Sequence, residues 1–185
     1  MLRQATVACA LAFALLAAGC GGDDAVPGGS EDLPGPVPSG VSFQEPPADA
    51  LAAPDFSAEL VDGTPVTASE LWDDRPLVLV FTASWCGTCA DVHRTAARAV
   101  AGQEGAAALL GLVPADDGGP ARDYAAELDL GHPLAVAAED VWLAYAAREP
   151  PLVALVAPGG RLLRGWPGGV EEAVLARELD ALVER

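Results

Sequence analysis

Pro76-Leu77-Val78-Leu79-Val80-Phe81-Thr82-Ala83-Ser84-Trp85-Cys86-Gly87-Thr88-Cys89 is the stretch on which the reading of this chain turns. Its opening residues are an unbroken apolar run rich in Val and Leu, the pattern of a parallel strand buried on both faces. The residues that follow it, Ala90 to Ala101, are rich in Ala and Arg and read as helix. Between the two lie Cys86 and Cys89, whose spacing lets them close a small disulfide ring with little backbone movement. At a helix N-terminus the dipole and the free N–H groups favour thiolate over thiol. Strand, tight turn with CxxC, then helix is the context expected of a thiol–disulfide redox site.

Cysteine arithmetic narrows the alternatives. The chain has four cysteines and two histidines. Cys9 lies in an N-terminal apolar stretch and Cys20 at its end, which leaves Cys86 and Cys89 for the folded part. A four-ligand zinc site would have to recruit both His93 and His132, whose separation is far from the short spacing of two-Cys, two-His sites. No metal site is therefore expected. A purely structural disulfide is the blander reading of the pair, but so short a loop removes little entropy from the unfolded chain.

Three segments are expected. Residues 1–19 read as a lipoprotein signal peptide: Met1-Leu2-Arg3 is weakly basic, and Thr6 to Ala18 is apolar but short for a membrane span. Leu16-Ala17-Ala18-Gly19-Cys20 resembles a bacterial lipobox, which implies lipidation of Cys20 and cleavage after Gly19. Residues 20–54 are dominated by Gly, Pro, Ser, Asp and Glu and read as a disordered tether with a reach of about 30 Å. Residues 55–185 have the size of one domain. The formal net charge of −17 argues against nucleic acid and against binding anionic lipid by charge. Attachment to a membrane would come through the lipid, on the extracytoplasmic face.

Within the domain, Phe56–Leu60 and Pro65–Thr67 flank Asp62-Gly63, a hairpin signal. Helical signals cover 68–72, 90–101, 122–128, 139–147 and 170–183, the last with Val170, Val174, Leu175, Leu179, Leu182 and Val183 on one face. Strand signals cover 77–81, 107–113, 133–137, 152–157 and 161–163. Strands alternating with helices and ending in a hairpin and a helix predict an α/β fold, a central mixed sheet flanked by helices.

Together with Tyr145-Ala146-Ala147-Arg148-Glu149-Pro150-Pro151 and the strand–Gly–strand pattern from Leu152 to Leu162, these features resemble the thioredoxin-fold, membrane-tethered TlpA/ResA/CcmG group of thiol–disulfide oxidoreductases. The resemblance covers roughly Phe56 to Val183. It implies a thioredoxin-like fold with an N-terminal β-hairpin and a cis-proline, Pro151, facing the CxxC. It also implies dithiol exchange in which Cys86 is the exposed nucleophile and Cys89 resolves the mixed disulfide. Trp85 would pack beside the site, and Gly87 and Thr88 would shape the turn and help set the potential. No cofactor is implied beyond the redox-active disulfide itself. The implied partners are cysteine-containing exported proteins and a membrane or extracytoplasmic electron donor or acceptor, with the chain acting as a monomer. Reduction of apocytochrome c is the most specific function the resemblance suggests.

The chain also departs from that group. A buried acid expected on the strand before the motif is Val80, the Glu expected three residues after the second cysteine is Val92, and the usual helix Pro is Arg94. The customary proton acceptor for Cys89 is thus missing. His93, four residues after Cys89 and so on nearly the same helix face, is the candidate to replace it. The alternative is an ordinary, partly exposed helix histidine, and His132 reads as a loop residue. Pro150 lacks the N–H that would pair with a bound substrate backbone. Two rival functions stand beside thiol exchange. One is a Sco-like copper chaperone, which would use two cysteines and a distant histidine on the same fold. The other is a redox-inactive binding lipoprotein that keeps a structural disulfide.

Overall fold

The structure is a computed structural model that describes residues 25–185. The expected signal peptide and Cys20 lie outside the described residues. Ten strands and five helices follow in chain order: β1 (Ser42–Phe43), β2 (Leu51–Ala52), β3 (Ser57–Leu60), β4 (Pro65–Thr67), α1 (Ala68–Trp72), β5 (Leu77–Phe81), α2 (Cys89–Ala101), β6 (Ala108–Pro114), α3 (Gly118–Leu128), β7 (Leu134–Ala137), α4 (Glu139–Ala144), β8 (Leu152–Ala157), β9 (Arg161–Pro167), α5 (Glu172–Asp180) and β10 (Val183–Glu184). Eight strands make one mixed sheet in the order β2-β9-β8-β5-β6-β7-β3-β4. β5, β6 and β7 are parallel; β8 runs antiparallel to β5, and β3 antiparallel to β7. This is the thioredoxin-like mixed sheet that the sequence predicts.

β5 sits at the centre, paired on both edges, and all five of its residues are buried. Its side chains alternate between two cores, as the period of a strand requires. Leu77, Leu79 and Phe81 join Leu110, Leu112, Trp72, Trp142 and Tyr145 on the face covered by α1 and α4. Val78 and Val80 join Ala96, Ala99, Leu175 and Leu179 on the face covered by α2 and α5. α2 buries Cys89, His93, Ala96 and Ala99, a stripe at helical spacing. A third cluster fixes α3 to β7 through Ala121, Tyr124, Ala125 and Leu134.

Two helices are shorter than the sequence predicts. α4 stops at Ala144 because Ala146 turns into the left-handed region (φ 53) and Ala147 N–H bonds back to Trp142 O at 2.8 Å. That capping geometry closes a helix. α5 stops at Asp180, and Val183 and Glu184 leave it to pair with β1.

The larger correction is to the tether. Residues 25–54 are not a free linker but a strap wrapped around the domain. Val26 packs on the α3 cluster and Leu33 on the α1/α4 core. β1 pairs with β10, and β2 adds to the sheet edge at β9. Composition misled here because the strap is held chiefly by polar and backbone groups. Gly28 O accepts the Leu134 N–H at 2.8 Å. At Gly28, with φ +80, a Cβ would sit 3.1 Å from Ala125 Cβ and 3.2 Å from Leu134 Cβ, so only glycine suits both the backbone and the space.

Asp62, in the turn between β3 and β4, is the strap's main polar clasp. Its Oδ2 accepts both the N–H and the hydroxyl of Ser30 at 2.7 Å, and its Oδ1 accepts the Thr64 N–H at 2.9 Å. Burial pushes this carboxyl up, but the bonds from Ser30 and Thr64 outweigh that and hold it well below the usual carboxylate range. Asp62→Ala should therefore cost about 1–3 kcal/mol and release residues 26–40 to proteolysis and amide exchange while β5 and β8 stay protected. Unchanged protection of 26–40 in the variant would show that the clasp does not hold the strap.

Candidate active site

The register of the sheet brings three segments to one end. β5 ends at Phe81, whose Cα partner on β8 is Leu152 and on β6 is Leu112. Thr82 to Thr88, leaving β5, therefore lies beside Pro150-Pro151, entering β8, and near the loop that leaves β6 at Pro114. The Pro150–Pro151 peptide bond is cis. Gly168, just past β9, donates its N–H to Pro151 O at 2.7 Å and ties this loop to the sheet edge. A cleft of about 790 Å³ opens at the same end, lined by Pro114, Asp116, Glu139, Trp142, Leu143 and Arg148.

Cys86 and Cys89 are joined by a disulfide, with Cα atoms 5.4 Å apart. Cys89 is the first residue of α2 and is fully buried, whereas Cys86 lies before the helix and is partly exposed. A turn closed by Cys86 N–H to Ala83 O (3.1 Å) and a second closed by Cys89 N–H to Cys86 O (3.2 Å) carry the chain into the helix. Gly87 and Thr88 are exposed, and Thr88 Oγ1 lies 3.9 Å from Cys86 Sγ. Trp85, next to Cys86 in the chain, is 70% exposed. The chain buries Ala83 and Cys89 at either end of this turn, while Trp85, Gly87 and Thr88 between them are exposed.

Beneath the loop lies a group of buried polar side chains. Thr82 Oγ1 and Tyr124 OH are 3.1 Å apart. Asp117, just past β6, accepts the N–H and the hydroxyl of Ser84. His93 and His132 stack with ring centroids 5.1 Å apart, and His93 Nδ1 is 2.9 Å from His132 Nε2. Gly111 makes the room: a Cβ there would fall 2.9 Å from His93 Cε1 and 2.6 Å from Leu134 Cδ1.

His93 is therefore neither the partly exposed histidine nor a convincing general base. Burial and, secondarily, the neighbouring His132 push its pKa down to about 3, and burial pushes His132 down to about 4. An imidazole that gains its proton so reluctantly is a poor acceptor near neutral pH. His132 is in a loop, as expected, yet it is buried and bonded. The sequence reading missed Thr82, Asp117, Tyr124 and the coupling of the two histidines. For Asp117 one signal was present, a carboxylate directly after an apolar strand that ends beside β5.

Residues 48–139 match the family model described as Redoxin. Several solved structures share the fold. One is a Bacteroides thetaiotaomicron protein described as a candidate protein disulfide isomerase, with 26% identity and a TM-score of 0.63 over 71% of this chain and 87% of that one. A secreted Mycobacterium tuberculosis disulfide oxidoreductase gives 21% and 0.59 over 69% and 96%. An exposed lipoprotein thioredoxin of Streptococcus pneumoniae gives 21% and 0.59 over 69% and 98%. No curated protein matches. The chain has the thioredoxin fold, and its residues 48–139 are similar to the Redoxin family. It is an oxidoreductase.

The histidine pair gives this domain an acid limit. Both folded pKa values lie below the ordinary 6.5, so the unfolded chain binds protons that the folded chain does not. Stability from this source is complete above about pH 6.5 and falls as the pH drops from there toward 4, at about 2 kcal/mol per histidine by pH 5. Urea unfolding at pH 7 and at pH 5 measures it. Equal midpoints would mean that the rings take protons without unfolding.

Proposed function

We propose that this thioredoxin-fold chain is a thiol–disulfide exchange protein of the extracytoplasmic membrane face, with Cys86 as nucleophile and Cys89 as resolving cysteine. One observation carries the assignment of roles: within a single disulfide, Cys86 is partly exposed and Cys89 is fully buried. A protein substrate can reach only the first.

In the reducing direction, the Cys86 thiolate attacks one sulfur of a substrate disulfide. A Cys86–substrate disulfide forms and one substrate thiolate leaves. Cys89 then attacks Cys86 Sγ, which closes the Cys86–Cys89 bond and releases the second substrate thiolate. Two electrons pass to the substrate, and the two protons of the dithiol go to its two thiolates. An extracytoplasmic dithiol donor must restore the pair. Run backwards, the same steps oxidise a substrate dithiol. The substrates are cysteine-containing exported proteins, and apocytochrome c is the specific case that we carry forward for the reducing direction. Pro150 and Pro151 would flank the substrate at the mouth of the site, and Pro150 has no N–H to offer its backbone.

The rival readings find less support. Both histidines lie in the core bonded to each other, and among the described residues no group of three or more His, Cys, Asp or Glu side chains is placed to hold a metal ion, so nothing favours the copper reading. A purely structural disulfide gives no reason for one sulfur to face solvent.

Lipid on Cys20 is the proposed anchor, since no helix among the described residues is long and apolar enough to cross a membrane. Val26, six positions later, already packs on the domain. A lipidated Cys20 would therefore hold the domain within roughly 20 Å of the bilayer surface, far closer than a long tether would. Cys20→Ser should move the protein out of the membrane fraction or leave it unprocessed. Normal processing with unchanged membrane partition would remove the anchor from the proposal.

For the exchange itself, Cys86→Ser should abolish turnover with a disulfide substrate. Cys89→Ser should accumulate mixed disulfides through Cys86, visible as a dithiothreitol-sensitive adduct by mass spectrometry. Capture of substrate by Cys89 in the Cys86→Ser protein would reverse the two roles.

A further inference from the structure

The residue that holds the nucleophile's turn in place belongs to a different element. Asp117 lies between β6 and α3 and is 4% exposed. Its Oδ2 accepts the Ser84 N–H and its Oδ1 accepts the Ser84 hydroxyl, each at 2.5 Å. Ser84 is the second residue of the turn that Cys86 N–H closes on Ala83 O. One carboxylate thus grips, by two charge-assisted bonds, the backbone that delivers Cys86. On the solvent side, Trp85, Gly87 and Thr88 are exposed, so beyond the disulfide and the two backbone turns the side-chain restraint on this segment comes from below. No ion pair neutralises Asp117 among the described residues.

Resting on the exchange reading above, we propose that Asp117 is a positioning residue for the Cys86–Cys89 couple. Its two bonds to Ser84 fix the turn, and its unneutralised charge, two residues from Cys86 through Ser84, opposes the Cys86 thiolate and makes the couple more reducing. The ionisable groups around it are Asp116, next in the chain, and Tyr124, on which both Asp117 and Arg94 act. Burial, and to a lesser extent Asp117, push the Tyr124 hydroxyl up, and Arg94 acts against them. Tyr124 stays neutral and Arg94 is exposed and bonded to Asp91, so neither cancels the carboxylate.

The test is the equilibrium of the full chain with a glutathione redox buffer, which needs no protein substrate and so reads Asp117 even if the physiological role is otherwise. Asp117→Asn removes the charge and keeps an acceptor for the Ser84 N–H. It should shift the equilibrium about tenfold toward the dithiol, about 30 mV more positive, and lower the Cys86 thiol pKa read by thiolate absorbance. A folded Asp117→Asn protein with wild-type equilibrium and thiol pKa overturns the proposal. A second pair covers the grip without touching the buried carboxylate. Ser84→Ala should slow attack on a small disulfide about tenfold, and Ser84→Thr, which keeps the hydroxyl, should restore it. Wild-type rates in both overturn the positioning role.

Discussion

Everything at the active end depends on β5 being immovable. It is hydrogen-bonded along both edges and covered on both faces, so its C-terminal residue, Phe81, has no freedom to shift. Burying its five apolar side chains contributes of order 10 kcal/mol before the entropy of ordering is counted. That rigidity is handed to the loop directly, because Thr82 and Ala83 are themselves buried and Thr82 N–H bonds to Leu112 O at 2.8 Å. The chain is released only at Ser84. From there to Cys89 the protein must hold a short, exposed segment in a shape that either sulfur can leave, and the polar contact that does so comes from Asp117.

The two faces of the sheet solve different problems. The α1/α4 face is an ordinary apolar core closed by aromatic edges, with Phe81 meeting Trp142 at 5.2 Å and Tyr145 at 5.3 Å between centroids. The opposite face, under α2, α3 and α5, adds the histidine pair, Thr82–Tyr124 and Ser84–Asp117 to its apolar packing. Apart from His93 Nε2, which has no partner among the described residues, these groups bond to one another, which lowers the cost of keeping them from water. Gly111 shows how specific the arrangement is: the β6 side chain that would normally fill this layer is absent so that an imidazole can lie against the strand. A larger residue at 111 would have to displace His93 or Leu134.

What could be read from the sequence divides along the same physical line. β5, the CxxC helix, the β3–β4 hairpin and the mixed sheet were legible because each rests on local signals: apolar runs, period, turn residues and the Ala-rich stretch after Cys89. The pairing of His93 with His132, 39 positions away, has no local signature. Its partners come from α2 and the loop before β7, and only the parallel crossover brings them together. The strap was misread for a related reason. Low apolar content argues against a self-supporting fold, but residues 25–54 do not need to support themselves. They borrow a finished surface, with Asp62, the Leu134 N–H and the edges of β9 and β10 supplying bonds that composition does not count.

The same geometry constrains how protons move in the proposed exchange. Val80 and Val92 put no acid near the buried thiol, and the histidine pair resists protonation until well below neutral pH. Cys89 therefore receives no carboxylate from the positions of Val80 on β5 or Val92 on α2 to generate its thiolate. In the proposed exchange the proton leaves to the departing substrate thiolate or to water at the mouth beside Cys86. Resolution by Cys89 is then tied to the basicity of the leaving thiolate rather than to an internal carboxylate. A site of this kind favours substrates whose leaving sulfur stays at the mouth after the first bond breaks, where it can accept that proton and complete the exchange.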